Sequence, residues 1–164
     1  MKYPAIDNSL FINNRKNFVS RIKHNSVAIF HASDEFPRSG DQTFLFKQNP
    51  DFFYLTGIDQ EQSILLLFPD CPNKAYKEVL FLRQTNEHIA IWEGHKYTKE
   101  EARLASGIES VHWLHEYDTI LHGIINYAEN IYINTNENDR YAHTVPYRDM
   151  RMYEALRLKY PLHH

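Results

Sequence analysis

Apolar residues at helical spacing form the first recognisable pattern in the chain. They recur every three or four positions after Asn8 or Ser9, either of which can cap a helix. The residues at these positions are Leu10, Phe11, Phe18, Val19 and Ile22, together with the polar Asn14 at the same spacing. The other side of the helical wheel carries Arg15, Lys16, Arg21 and Lys23. The pattern therefore predicts an amphipathic first helix whose basic side chains face water.

Short apolar runs in the first half of the chain predict strands. Val27–His31 is the first, because four of its five residues are apolar or aromatic. Two further runs, Ser63–Phe68 and Glu78–Leu82, are separated by a segment with two prolines and an asparagine, which favours a β-hairpin. The rough alternation of polar and apolar residues over Glu87–Trp92 predicts one more strand after the hairpin.

Helices and strands alternate in the second half of the chain. Thr98–Ser106 begins with a capping threonine, carries two glutamates in its first turn and is followed by a glycine, so it predicts a short helix. Helical spacing over Leu114–Ile125 predicts another helix, which leads into a strand at Ile131–Ile133. A last helix is expected after Pro146 and before Pro161.

The order of these elements predicts the fold class. Adjacent strands with helices before, between and after them form a sheet that the helices cover, so we expect an α/β layered domain with a mixed sheet. The length of 164 residues fits one domain, and no repeat, linker or low-complexity tract divides the chain. We therefore expect residues 1–164 to form a single domain.

Composition and charge exclude several classes of protein. The contents of 43% hydrophobic and 14% aromatic residues indicate an ordered chain. The net charge of -3 comes from interspersed residues of both signs, which form no basic stripe for nucleic acid. The longest apolar run, Ile64–Phe68, is far shorter than the roughly 20 residues of a membrane-spanning helix. With one cysteine, Cys71, and no signal-peptide pattern, the expected location is the cytoplasm.

Ten histidines prompt a search for a metal site. The tightest groups are His112 with His115 and the terminal pair His163 and His164, which is either native or the remnant of a purification tag. Neither group has a carboxylate at a recognised ligand spacing, and no H-E-x-x-H motif occurs, so surface or core histidines are the better interpretation. Cys71 lies in a proline-flanked turn without a nearby cation, and no G-x-S-x-G motif is present. The sequence therefore predicts neither a metal ligand nor a catalytic residue, and favours a binding or assembly domain.

The stretch Phe44–Gly57 combines polar residues with aromatics and leucines, a mixture that suits a partly buried polar network. Asn49 precedes a proline and must be extended, and Asp51 can accept hydrogen bonds from the backbone of a following turn. From the residues alone, the stretch is best interpreted as a capped corner beneath an aromatic cluster.

Several motifs in register resemble one known family. The first is Arg38-Ser39-x-Asp41, and Phe46-x-Gln48-Asn49-x-Asp51-Phe52-x-Tyr54-Leu55-Thr56-Gly57 follows it, before the apolar strand Ile64–Phe68. Leu80-Phe81-Leu82-Arg83 and Ile91-Trp92-Glu93-Gly94 continue the series. Together they are similar to the signature of aminopeptidase P amino-terminal domains, in family order from about residue 10 to residue 125.

The resemblance implies a three-layer α/β domain of the creatinase and aminopeptidase P type, with a mixed sheet flanked by helices. In that family it precedes a "pita-bread" catalytic domain, which binds two divalent metal ions, usually manganese. None of the family's ligands, two Asp, one His and two Glu, has a counterpart here. The implied parent hydrolyses the bond between an amino-terminal residue and a following proline. The role that the resemblance implies for this domain is to shape the active-site mouth and to support a homo-oligomer. By itself the domain is expected to have no metal and no catalytic residue.

Two residues that match the family pattern are candidates for touching substrate in a neighbouring subunit's site. The carboxylate of Asp41 would meet the amino terminus of a peptide, and the face of Trp92 would line the prolyl end of the pocket. The alternatives are a turn or capping aspartate and a core tryptophan at a strand end. Gly40 stands where the family often has another small residue, which is expected to loosen the loop.

Two other functions fit the same observations. One is the amino-terminal domain of a prolidase or creatinase, since a shared architecture does not fix the chemistry of the parent. The other is a stand-alone interaction module that uses exposed aromatic residues such as Phe52, Phe53 and Trp92.

Overall fold

The computed structural model describes residues 6–86, 94–135 and 148–163, and these form seven strands and five α-helices. The strands are β1 (Ser26–His31), β2 (Pro37–Ser39), β3 (Gln42–Thr43), β4 (Ile64–Leu67), β5 (Glu78–Leu82), β6 (Ser110–Trp113) and β7 (Asn130–Ile133). The helices are α1 (Ser9–Val19), α2 (Pro50–Thr56), α3 (Lys99–Ser106), α4 (Tyr117–Ile124) and α5 (Arg148–Lys159). Single 3-10 turns lie at Lys74–Tyr76, Leu114–Glu116 and Ile125–Tyr127.

Five strands form a mixed sheet in the order β6-β5-β4-β1-β7. The pairs β1–β4 and β4–β5 are antiparallel, with Ile29 opposite Leu66 and Leu66 opposite Val79. The outer pairs β5–β6 and β1–β7 are parallel, as strands joined by long connections with helices are. The predicted mixed sheet and the β4–β5 hairpin are therefore confirmed.

Helices cover both faces of this sheet. On one face, alternate strand residues such as Val27, Leu66 and Phe81 pack with the apolar sides of α4 and α5. On the other face, neighbours such as Ala28 and Leu65 pack with α2 and α3. All six residues of β1 are buried, as expected of a strand covered on both faces. The predicted three-layer α/β architecture is confirmed.

The first helix differs from its prediction in the face that it buries. It ends at Val19, and Leu10, predicted to be buried, is 49% exposed. Arg15, predicted to face water, is 0% exposed. Its guanidinium donates to the carbonyl oxygens of Leu55 (2.8 Å) and Ser106 (2.9 Å). These carbonyls end α2 and α3, where backbone acceptors lack helical partners, and they draw the cation inward.

The other predicted elements agree with the structure wherever it describes them. Thr98 begins α3 with a reciprocal capping box to Glu101, and Gly107 ends it with a left-handed φ of 71°. The predicted helix over Leu114–Ile125 consists of a 3-10 turn, α4 and a second 3-10 turn. The predicted strand Glu87–Trp92 lies entirely outside the described residues.

Candidate functional site

Four of the five strands end on one side of the sheet, which we call the carboxyl end. Because β1, β5, β6 and β7 share a direction and only β4 opposes them, their last residues lie together there. Open α/β sheets commonly bind ligands outside the carboxyl ends of their strands. The connection after β1 carries Asp41, and the connection after β5 carries Trp92. Trp92 itself lies outside the described residues.

Asp41 lies at the tip of a two-stranded hairpin formed by β2 and β3. Pro37 pairs with Thr43, and Gly40 adopts the left-handed φ of 57° that the tight turn requires. Every residue from 35 to 45 is exposed. The carboxylate of Asp41 therefore lies in water at the end of a projecting ribbon, as a turn aspartate does.

The base of this hairpin is held by Gln48, which lies just before α2. Its Oε1 accepts the backbone N–H groups of Ser33 (3.1 Å) and Asn49 (2.8 Å). Its Nε2 donates to the carbonyl oxygens of Ile58 (3.0 Å) and Gln60 (2.9 Å). One amide thus ties the start of the hairpin connection to its end, in the partly buried polar network that the sequence predicts.

The corner that follows is capped by Asn49, whose Oδ1 accepts the N–H groups of Asp51 (2.9 Å) and Phe52 (3.2 Å). The carboxylate of Asp51, predicted to take such backbone bonds, accepts instead from Nδ2 of Asn134 at 2.9 Å. Asn49 takes the capping role because the N-cap position precedes the first helical residue, which is Pro50.

A turn over residues 58–63, of which all but Asp59 and Gln62 are buried, lies between α2 and β4. Two of its polar side chains bind the connection after β5. The Oε1 of Gln60 accepts the backbone N–H of Tyr97 at 2.7 Å. The Oε1 of Glu61 binds Nζ of Lys96 and lies 3.6 Å from the guanidinium of Arg83. Glu61 is only 4% exposed, so its carboxylate is a buried anion between two cations.

Helix α5 docks at the same end of the sheet through contacts between polar and charged side chains. Nδ1 of His31, the last residue of β1, lies 2.8 Å from the buried carboxylate of Asp149. The guanidinium of Arg151 donates to both carboxylate oxygens of Asp34. Burial lowers the pKa of Arg148, and the nearby carboxylate of Asp34 opposes that shift. These contacts fix the start of α5 beside the hairpin connection.

Known proteins resemble this chain in sequence and in fold. The family model described as the aminopeptidase P amino-terminal domain matches residues 11–132. The chain belongs to this family. Among related sequences, it is 26% identical over 122 residues to the Xaa-Pro aminopeptidase of Escherichia coli strain K12, covering 74% of this chain and 27% of that protein.

Solved structures of aminopeptidase P share the fold. A Bacillus anthracis protein described as an aminopeptidase P superimposes with a TM-score of 0.84 at 23% identity, over 96% of this chain and 37% of that one. Pseudomonas aeruginosa aminopeptidase PepP gives a TM-score of 0.76 at 24% identity, over 93% and 33%. The chain thus spans between about a quarter and just over a third of the length of these relatives.

The aromatic residues of this aminopeptidase P domain do not fit an exposed interaction surface as predicted. Phe52 is 0% exposed and belongs to the core, and Phe53 packs edge-on against Phe11 with ring centroids 6.0 Å apart. The exposed aromatic residues of this region are instead Phe36, Phe44 and Tyr54. The hydrophobic corner requires large side chains inside, which is why the prediction for Phe52 is wrong.

Among the described residues, His112 and His115 belong to no group of three or more possible metal ligands, and His112 contacts a carboxylate and a hydroxyl. Its Nδ1 lies 2.9 Å from Glu116, and its Nε2 lies 3.3 Å from the Ser110 hydroxyl. The order serine, histidine, carboxylate is that of a hydrolytic triad. However, the flanking backbone N–H groups of Val111 and Trp113 are both bonded internally, so neither can serve an oxyanion.

The described ranges contain no group of three or more His, Cys, Asp or Glu side chains that could hold a metal ion. The divalent ions implied by the family resemblance therefore find no fitting donor set among these residues. Within the same ranges, no helix is both long and apolar enough to cross a membrane.

Sequence reasoning missed the turn that holds both connections. Gln60 and Glu61 follow Gln48 by only 12 and 13 positions, but Arg83 and Lys96 are distant in sequence. The only available signal was a run of polar residues directly before a fully apolar strand. Such a run is more often a solvated loop, and the structure shows Gln60 and Glu61 to be buried.

Proposed function

We propose that this chain is the non-catalytic amino-terminal domain of a proline-specific Xaa-Pro aminopeptidase. The observation that carries the proposal is the family match over residues 11–132, which spans most of the central sheet. The parent enzyme would cleave the bond between an amino-terminal residue and a following proline. Its catalytic residues would lie in a further domain, with two divalent metal ions, manganese in our proposal, and the enzyme would act in the cytoplasm.

In this proposal the hairpin of β2 and β3 reaches the active-site mouth of a neighbouring subunit in a homo-oligomer. Its geometry supports that role, because Asp41 lies at the exposed tip and no described group neutralises it. A free peptide amino terminus is a cation, so the two would attract each other. Trp92 would offer an aromatic face to the prolyl ring in the same mouth.

The sides of the hairpin support contact with a second subunit. Phe36, Phe44 and Leu45 are 54%, 58% and 80% exposed, and the first two are joined across the ribbon by a backbone hydrogen bond of 2.9 Å. Burying such side chains is favourable by about 25 cal/mol for each Å² of apolar surface. Packing of this surface against a neighbour would place Asp41 beyond the boundary of its own subunit.

The test is the substitution Asp41→Asn in the full-length enzyme, assayed with Xaa-Pro peptides. Loss of one partly exposed ion pair is worth roughly 1 kcal/mol, so KM should rise about fivefold with kcat little changed. The effect should shrink at high salt, where exposed charges are screened. Glu35→Gln is the matched control, since Glu35 is another exposed carboxylate just before the hairpin.

An unchanged KM for Asp41→Asn would contradict the role of the hairpin. Cleavage of Xaa-Pro dipeptides without cleavage of longer Xaa-Pro peptides would assign the parent to the prolidases instead. The 164-residue chain alone should leave both kinds of peptide intact under the same conditions.

A further inference from the structure

The turn at residues 58–63 is the point where the two connections that carry the proposed substrate contacts are joined. The hairpin connection is held through Gln48, whose amide donates to the backbone carbonyls of Ile58 and Gln60. The connection after β5 is held through the side chains of Gln60 and Glu61. Both connections are thus bonded to the same few residues.

Glu61 binds the connection after β5 at both of its described ends. Arg83 is the first residue after β5, and Lys96 precedes Thr98, the cap of α3, by two positions. Both cations meet the same oxygen of Glu61, so one carboxylate spans residues 13 positions apart in sequence. The stretch between them contains Trp92.

The energetics favour a fixed arrangement at Glu61. A buried carboxylate costs several kcal/mol in desolvation unless it is paired and hydrogen-bonded. Glu61 is 4% exposed, and the side chain of Lys96 is 12% exposed, so water competes little for their contact. Loss of the Glu61 carboxylate would therefore leave the largely buried Lys96 without this partner.

The backbone beside Glu61 is also in an unusual conformation. Gln62 has a φ of 51°, in the left-handed region that costs a non-glycine residue roughly 1 kcal/mol. This conformation lies at the bend between the side chain of Glu61 and the start of β4. Strain of this kind persists where surrounding contacts enforce it, which agrees with a turn whose function is to place a side chain.

We infer that Glu61 is a positioning residue that fixes Arg83 and Lys96, and with them the ends of the Trp92 stretch, relative to the base of the hairpin. Only its kinetic consequence rests on the proposed function. Glu61 differs in this from residues that merely stabilise the fold, because its removal should disturb the connection after β5 more than the core.

The first experiment follows Trp92 directly in this chain. The sequence has two tryptophans, so Trp113→Phe leaves Trp92 as the sole tryptophan. In that background, Glu61→Gln should raise acrylamide quenching of Trp92 and add fast motion to its fluorescence anisotropy decay. Glutamine has nearly the same shape but gives up the charge that two cations share.

The matched control is Glu78→Gln, which removes a carboxylate from another Glu–Arg contact, 3.1 Å from Nε of the buried Arg15. It should lower the melting temperature and leave the Trp92 signals unchanged. If Glu61→Gln fails to fold, as judged by far-UV circular dichroism, Lys96→Gln provides a milder loss of the same contact. The inference would be overturned if Glu61→Gln or Lys96→Gln left the Trp92 signals as they are in Trp113→Phe alone. It would also be overturned if Glu78→Gln changed those signals equally.

The second experiment measures the consequence in the full-length enzyme. Misplacing a substrate-contacting group by about 1 Å costs up to roughly 100-fold, so Glu61→Gln should lower kcat/KM for Xaa-Pro peptides by about 10-fold or more. The loss should nearly vanish in a Trp92→Ala background, because the two residues would act through one contact. Changed fluorescence together with an additive kinetic loss would uphold the positioning by Glu61 and reject the proposed contact of Trp92 with substrate.

Discussion

Two buried charges, Arg15 and Glu61, lie at opposite ends of β5 and are used in different ways. Arg15 reaches Glu78, the first residue of the strand, while Glu61 reaches Arg83, the residue that follows it. The partners of Arg15 include two helix-end carbonyls, whereas Glu61 binds side chains of a single long connection.

This difference suggests which end of the domain serves the fold and which serves the site. Arg15 joins three elements of the core, α1, α2 and α3, through its hydrogen bonds to the carbonyls of Leu55 and Ser106. Glu61 joins segments that leave the sheet at its carboxyl end, next to the hairpin. Loss of Arg15 should thus reduce stability most, and loss of Glu61 should mainly affect position.

The largest expected effect is that of Arg15→Met, which keeps much of the side-chain volume and removes the charge. It leaves the buried carbonyls of Leu55 and Ser106 without their donor and removes the partner of Glu78. Leaving two buried carbonyls without their donor typically costs about 1–3 kcal/mol for each, and loss of the contact with the partly exposed Glu78 adds little. Urea unfolding of the 164-residue chain, followed by circular dichroism, measures the change.

Arg21→Met is the control for that measurement, since Arg21 is an exposed cation just after α1. It should change the free energy of unfolding by less than about 0.5 kcal/mol. If the two variants proved equally stable, the carbonyl contacts of Arg15 would contribute little, and the contrast between the two charges would no longer hold.

These two charges also show how far the sequence alone predicts the domain. Local signals, namely apolar runs, capping residues and turn residues, predict β1, β4, β5, β7 and every described α-helix except α2. They do not predict the short strands β2, β3 and β6 or the helix α2. The burial of Arg15 depends on hydrogen bonds to carbonyls that are 40 and 91 positions away in sequence. Helical periodicity therefore predicted wrongly that this side chain faces water. A local pattern reports the period of a helix but does not identify partners that tertiary packing supplies.

The candidate site was predictable to a smaller extent for the same reason. The turn at Gly40 and Asp41 and the polar network around Gln48 are encoded locally, so the sequence suggested both. The contacts of Glu61 with Arg83 and Lys96 span 22 and 35 positions and carry no short-range signature. The partner of His31, Asp149 on the distant helix α5, was missed in the same way.

A smaller loss of stability is expected from a substitution of Asn49, which caps the start of α2 next to Gln48. Arg15 binds near the other end of the same helix, at the carbonyl of Leu55. Asn49→Ala removes the acceptor of two backbone N–H groups and should cost about 1 kcal/mol, the usual value for an N-cap. Asn73→Ala is a matched control, since Asn73 caps only a 3-10 turn. Differential scanning calorimetry of both variants measures the difference. A loss at Asn49 as large as that of Arg15→Met would show that the two ends of α2 matter equally for stability.

The smallest expected effect is pH-dependent and lies at Glu116, just after β6 ends. The hydrogen bond from His112, and then that from the backbone N–H of Trp113, lower the pKa of Glu116 from 4.5 to about 2. Because the folded pKa is the lower one, this stabilisation is present above about pH 4.5 and is lost as the pH falls towards 2. A third of the side chain is exposed, so its contribution is less than about 1 kcal/mol.

Chemical unfolding at pH 6 should show Glu116→Gln to be slightly less stable than the parent chain, with the difference in stability narrowing towards pH 3. Glu109→Gln, at an exposed carboxylate, should show no such trend. A gap that stayed constant with pH would mean that Glu116 acts through the shape of its side chain and not through its charge.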